Sequence, residues 1–90
     1  MENGEYVMLV EIKTEPSVED VNDHLERITI VRVYMDTHND RRKIVGTIAG
    51  GIIPENVLRY AHRKGLFAVM QNGESVTVAE TPPGFTAREW

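Results

Sequence analysis

An α/β fold with a mixed, α+β type of sheet is what this chain predicts, and three observations carry that expectation. Runs rich in β-branched and apolar residues recur at "YVMLVEI", "ITIVRVYM" and "IVGTIAG". Two segments carry helix boundary signals, one opening at Ser17 and one at Pro54. An Asn72-Gly73 pair sits between two strand-like runs, as in a hairpin. In chain order the elements read β-α-β-β-α-β-β, followed by a tail.

The first strand spans about Tyr6 to Lys13. Its side chains alternate, so Tyr6, Met8, Val10 and Ile12 form one apolar face, while Glu11 and Lys13 share the other. The helix that follows starts at Ser17, an N-cap with Asp20 three residues on in the capping-box position. Val18, Val21, Leu25 and Ile28 form its buried stripe, and Glu19, Asp20, Asp23 and Glu26 face water. The β-branched run from Ile28 or Thr29 to Met35 reads as a second strand, "DTHNDRRK" as a polar loop, and "IVGTIAGG" as a third strand in the middle of the sheet. Pro54 opens a second helix at its first turn and Gly65 follows its end as the C′ residue. "LFAVMQNGESVTVAE" is a hairpin turning in type I′ geometry at Asn72-Gly73. Residues 81–90, with Pro82, Pro83 and Gly84, form a tail that Phe85 and Trp90 dock on the body.

A length of 90 residues accommodates one domain with one core. The absence of cysteine excludes disulfides, thiolate metal sites and thiol nucleophiles, and suits a reducing compartment. With no membrane-length apolar run and no secretory pattern at the start, a cytoplasmic location is expected. The net charge of −4 argues against bulk attraction to nucleic acid. Its distribution is uneven: residues 1–40 hold three Lys/Arg and ten Asp/Glu, whereas residues 41–90 hold seven and four. A basic face toward phosphate is therefore compatible with an acidic total.

Glu11 and Lys13 are an E-x-K pair ending an apolar strand, with a strongly capped helix four residues on. An isolated pair of this kind on a solvent-facing strand contributes only ~0–1 kcal/mol. In this setting, "VEIKTEPSVEDVNDHLERI", "IVGTIAGGIIPENVLRYAHRKGLFAVM" and "PPGFTAREW" resemble a prokaryotic group of the PD-(D/E)xK, or restriction-endonuclease-like, nuclease superfamily. The resemblance runs from about Val7 to Trp90. It implies a restriction-endonuclease-like core lacking its first helix and strand, and metal-dependent hydrolysis of DNA phosphodiesters in the complete form. It further implies Glu11 as metal ligand and catalytic acid, the Ile12 carbonyl as a second metal ligand, Lys13 as the catalytic cation, and Mg²⁺ as the ion.

The first acid of that motif belongs on a strand before Asn3-Gly4, a second turn signal with almost nothing ahead of it. Glu2 is too near the terminus to replace it, Glu5 sits at the start of the strand, and Glu15 shares the face of Glu11 and Lys13 but is followed by Pro16. A single copy is thus expected to be weakly active or inactive, with the missing acid coming from a longer or a second chain. The strand edge left open favours a homodimer, and a noncatalytic dimeric interaction module on the same scaffold is the alternative. His24, beside the helical stripe, is expected as a half-buried boundary histidine that could serve as an accessory to the site. Arg41, Arg42 and Lys43 are candidates for phosphate contacts on a loop that otherwise reads as solvated. No small-molecule cofactor is evident, and no two histidines have metal-ligand spacing.

Overall fold

The computed structural model describes residues 5–90. The order is β1 (Tyr6–Ile12), α1 (Val18–Thr37), β2 (Lys43–Gly50), α2 (Glu55–Arg63), β3 (Phe67–Asn72) and β4 (Ser75–Val78). Four strands make one mixed sheet in the order β1-β2-β3-β4. β1 and β3 lie parallel to β2, and β4 returns antiparallel to β3. β2 is central, as its small, apolar sequence predicts. The Asn3-Gly4 turn signal and Glu2 lie outside the described residues.

One expected element is overturned. The segment from Ile28 to Met35 is no strand: α1 runs unbroken through it to Thr37. Val21, His24, Ile28 and Met35 are buried, with Val31 partly so, and those intervals of three and four residues are helical. Burying that stripe on the sheet outweighs the modest helix penalty of the β-branched residues, because each fully buried aliphatic side chain is worth ~1.5–3 kcal/mol. Thr29 is accommodated by donating its hydroxyl to the Leu25 carbonyl at 3.1 Å. The observed order is therefore β-α-β-α-β-β.

Both the capping box and the close packing at Gly46 fix α1. Ser17 Oγ accepts from Asp20 N–H at 3.2 Å, and the Asp20 carboxylate accepts from Ser17 N–H at 2.9 Å. A Cβ on Gly46 would lie 2.5 Å from Leu66 Cδ2 and 2.7 Å from Ile28 Cδ1, so the absent side chain is what lets the core close over β2. Arg32, whose role the sequence did not disclose, donates to the carbonyls of Asp40, Arg42 and Trp90 at 2.6, 2.6 and 3.1 Å. One guanidinium thereby ties the end of α1, the loop before β2 and the tail together.

The hairpin turn is displaced by one residue from its expected place. Asn72 pairs with Ser75, so the central residues are Gly73 and Glu74. Only Gly73 has positive φ, at 58°, which is the II′ rather than the I′ arrangement. The tail lies on the body: Ile44 and Trp90 exchange both backbone bonds, at 3.0 and 2.9 Å, and Arg88 N–H donates to Gly65 O at 3.0 Å. Phe85 meets Phe67 and His62 at ring separations of 5.5 and 5.4 Å.

Gly65 follows α2 with φ of 84°, and a Cβ there would lie 2.8 Å from the Arg88 backbone nitrogen. Gly84 has φ of 81° with open space around it. Gly65→Ala is expected to cost more than the ~1 kcal/mol of left-handed backbone strain alone, because the tail must also shift, whereas Gly84→Ala should cost only that strain. Urea unfolding of the two variants side by side checks this. Equal losses would mean that the tail does not press on Gly65.

Candidate functional site

Parallel strands bring their C-terminal ends to one rim of the sheet, a common place for a ligand. Glu11 and Lys13 stand at that rim. Gly46 on β2 faces α1, and its register partner on β1 is Leu9, so Leu9, Val7 and Glu11 share the helix-covered face. Lys13 continues the alternation and still donates its N–H to Ala49 O at 3.0 Å. The Lys13 ammonium lies 4.0 Å from Glu11 Oε2 and 3.8 Å from Asp20 Oδ1. Arg27, two turns into α1, takes the other oxygen of Glu11.

The two faces of β1 differ from a simple inside-outside reading. Its side bearing the acid and the amine is the covered one, and the Glu11 side chain is only 20% exposed. The apolar side is open: Met8 and Ile12 are 56% and 72% exposed. The E-x-K face thus lies in a notch between β1 and the first turns of α1, bounded by Asp20, His24 and Arg27.

The remaining candidates sort by distance from that notch. His24 is buried, not half-buried as expected, and its Nε2 lies 3.1 Å from Leu9 O. Since a carbonyl only accepts, Nε2 carries the proton and Nδ1 is the bare nitrogen, buried and without a partner among the described residues. His24 is a strut between α1 and β1 and is not aimed at a ligand. Glu15 lies beyond the end of β1 in a bend, exposed, with no ion pair among the described residues. Arg41, Arg42 and Lys43 precede or begin β2, and Lys43 is in register with Tyr6, at the opposite end of β1 from Glu11. Five residues of strand separate the two places by roughly 17 Å. Arg42 is also engaged, donating to both Asp40 oxygens at 2.6–3.2 Å and holding that carboxyl down at about 2. These three cations do not share a site with Glu11.

On the apolar side of the same rim, Ile12, Ala49, Val69 and Val76 floor a trough of about 550 Å³. A larger hollow of about 1030 Å³ lies between α2 and the tail, beside His62 and Phe85. It is remote from the acid and the amine, and His62, whose buried Nε2 has no hydrogen-bond partner among the described residues, has its ring against that of Phe85. The notch is therefore the better candidate. Within one chain it holds two carboxylates, Glu11 and Asp20, and the second of these is already tied into the Ser17 cap. Among the described residues no group of three acidic or histidine side chains could hold a metal ion.

Burial lowers the pKa of His24 and His62 below the ordinary value of 6.5, for His24 against the opposing effects of the Leu9 carbonyl and Glu11, and with Arg27 adding to the fall. Both rings stay neutral in the fold while the unfolded chain takes up protons below 6.5, so stability is full above that pH and is lost as pH falls toward the depressed values. Asp20, held down chiefly by the Ser17 N–H, acts in a separate window below its ordinary value of 3.8. The urea midpoint is expected to fall between pH 7 and pH 5, and less steeply in His62→Phe. A midpoint level across that range would remove the buried neutral histidines from the account.

Among the described residues no helix is long and apolar enough to cross a membrane. Compared with family models, curated proteins and solved structures, the chain matches none.

Proposed function

We propose that this chain is a PD-(D/E)xK nuclease-like domain, with a restriction-endonuclease-like core, whose E-x-K notch engages a DNA phosphodiester together with a divalent cation, Mg²⁺ by preference. The observation that carries the reading is the meeting of Glu11 and Lys13 at 4.0 Å on the helix-covered face of a β-α-β unit, at the C-terminal rim of parallel strands. Lys13 projects an ammonium where negative charge develops on a phosphate oxygen, and Arg27 offers a guanidinium fork for an adjacent phosphate. Glu11 orients both cations in the absence of substrate. A bound divalent ion would add charge neutralisation and an activated water.

One copy does not fit a resident ion by itself. Mg²⁺ is usually held by one or two carboxylates with substrate phosphates and waters. Here Glu11 has both oxygens already engaged by cations, and Asp20 is committed to the Ser17 cap and to Lys13. An isolated copy is accordingly weakly active or inactive. That same self-contained ion pairing favours the second reading, a noncatalytic dimeric module on this scaffold.

Calorimetry with Mg²⁺ and Mn²⁺, paired with a plasmid-nicking assay, separates these outcomes. Weak Mn²⁺ binding that disappears in Glu11→Gln, and slow nicking that falls at least about tenfold in Lys13→Ala, are expected for a group acting on transition-state charge. No binding heat and no nicking under any condition would favour the noncatalytic module. Rapid cleavage that survives Glu11→Gln would overturn the assignment of the notch.

A further inference from the structure

The outer edge of β1 is open among the described residues. Glu5 O accepts from Lys43 N–H, and Lys13 N–H donates to Ala49 O, so the odd-numbered residues from 5 to 13 direct their backbone groups toward β2. By alternation, the N–H and C=O groups of Tyr6, Met8, Val10 and Ile12 point away from the sheet. Nothing on the strand guards them. Residues 6–12 contain no proline and no lysine, and the register with β2 runs without a bulge. The chain leaving β1 turns inward, since Pro16 packs on Gly50 and Thr14 O accepts from Gly51 and Ile52 N–H at 3.0 and 3.2 Å. The edge stays clear.

The same strand is complementary to itself. Paired antiparallel about a two-fold axis at Leu9, Tyr6 faces Ile12 and Met8 faces Val10 of a second copy as hydrogen-bonded pairs, so each outward backbone group finds a partner. Apolar residues then meet apolar residues on the open face. On the helix-covered face Leu9 meets Leu9 and Val7 meets Glu11, leaving no like charges directly opposed. At each end Glu5 of the second copy stands directly opposite Lys13, in a narrow pair with Cα atoms ~4.5 Å apart. That Glu5 is also diagonal to Glu11 on the same face, within reach of a long side chain.

We infer that this protein forms a homodimer through antiparallel pairing of β1 with β1 about Leu9, and that each E-x-K notch is completed by Glu5 of the second copy, making a two-carboxylate site for a divalent cation. The inference rests on the nuclease-like reading for its metal, but not for its dimer. Three carboxylates, Glu11, Asp20 and the second copy's Glu5, then face two cations, Lys13 and Arg27, which leaves the notch with one net negative charge for an arriving cation. The Ile12 carbonyl is taken by Tyr6 N–H of the second copy, and the second copy's Glu5 replaces it as donor. An interface built on one strand is smaller than the ~1,200–2,000 Å² of stable complexes, so the dimer is expected to dissociate on dilution.

The chain has no cysteine, which makes cross-linking clean. Leu9→Cys should form an intermolecular disulfide under mild oxidation, because narrow antiparallel pairs meet the Cα separation a disulfide needs. Met8→Cys and Val10→Cys should not, as neither faces its own equivalent. An equimolar mixture of Val7→Cys with Glu11→Cys repeats the test without altering Leu9. Sedimentation of the unmodified chain should show a concentration-dependent dimer that Met8→Lys abolishes. In a metal titration, Glu5→Gln and Glu11→Gln each lose Mn²⁺ binding, whereas their mixture regains about a quarter of the wild-type sites, since half the dimers are mixed and each keeps one intact notch. A monomer at all concentrations, or cross-linking through Met8→Cys or Val10→Cys in place of Leu9→Cys, would overturn the pairing. A dimer with no recovery on mixing would overturn the role of Glu5, while leaving the nuclease-like reading to its own titration of Glu11.

Discussion

The site depends on how closely α1 can approach β2. Helix and sheet meet where Gly46 presents no side chain, and Ile28 and Leu66 occupy the space a Cβ would take. That contact sets the height of α1 above β1, and hence the reach of Arg27 to Glu11 and of Asp20 to Lys13. His24 then ties the helix laterally to the Leu9 carbonyl. A larger residue at position 46 would lift the helix that walls the notch. The geometry of the notch and the packing of the core are here the same constraint, since close-packed interiors transmit displacements instead of absorbing them.

Within that frame the electrostatics of Glu11 are double-edged. A carboxylate between an ammonium and a guanidinium is well placed to present both cations to a phosphate, yet poorly placed to surrender its oxygens to a metal. The exposed partners keep the pairs individually weak, at ~0–1 kcal/mol, so on the proposed reading a divalent ion accompanied by a substrate phosphate would be able to displace them. The arriving phosphate would in turn satisfy Lys13 and Arg27. Exchange of partners, with Glu11 moving from cations to metal as the cations move to phosphate, is electrostatically balanced only when the phosphate and the ion enter together.

Much of this was legible in the sequence, and the failures have identifiable causes. Ser17 and Asp20 announced the start of α1 because a capping box is local chemistry. Gly65 announced the end of α2 for the same reason, its φ of 84° being one that few other residues adopt. The pairing of Glu11 with Lys13 on one face followed from strand alternation. The extent of α1 did not follow, because Ile28, Thr29, Ile30, Val31 and Val33 carry a strand-like composition and only tertiary burial of every third or fourth residue decides for helix. Arg32, Arg27 and the depth of His24 were equally hidden. Each acts through partners 15 or more residues away, such as Trp90, Glu11 and Leu9, and no local pattern encodes such distances. The place of the basic loop at Arg41–Lys43 was hidden too, because composition does not say which end of a parallel strand a loop occupies, and Lys43 pairs with Tyr6 at the far end from Glu11.

The reversal of the two faces of β1 follows from the same limits and bears on the partner question. Uniform apolarity at Tyr6, Met8, Val10 and Ile12 argues for burial, yet both helices lie on the other side of the sheet and leave those residues exposed. Water can satisfy the outward backbone groups of the same four residues, so their polarity alone does not demand a partner. Their side chains are different, because apolar surface gains by leaving water and has no alternative ligand there. An edge that is both apolar in side chain and open in backbone is what natural sheets guard against with lysine, proline or a bulge. Here the first basic residue, Lys13, falls at the very end of the strand, opposite Glu5 in the proposed antiparallel register. On the proposed pairing, that charge pattern sets opposite charges against each other at both ends of the strand and no like charges directly opposed.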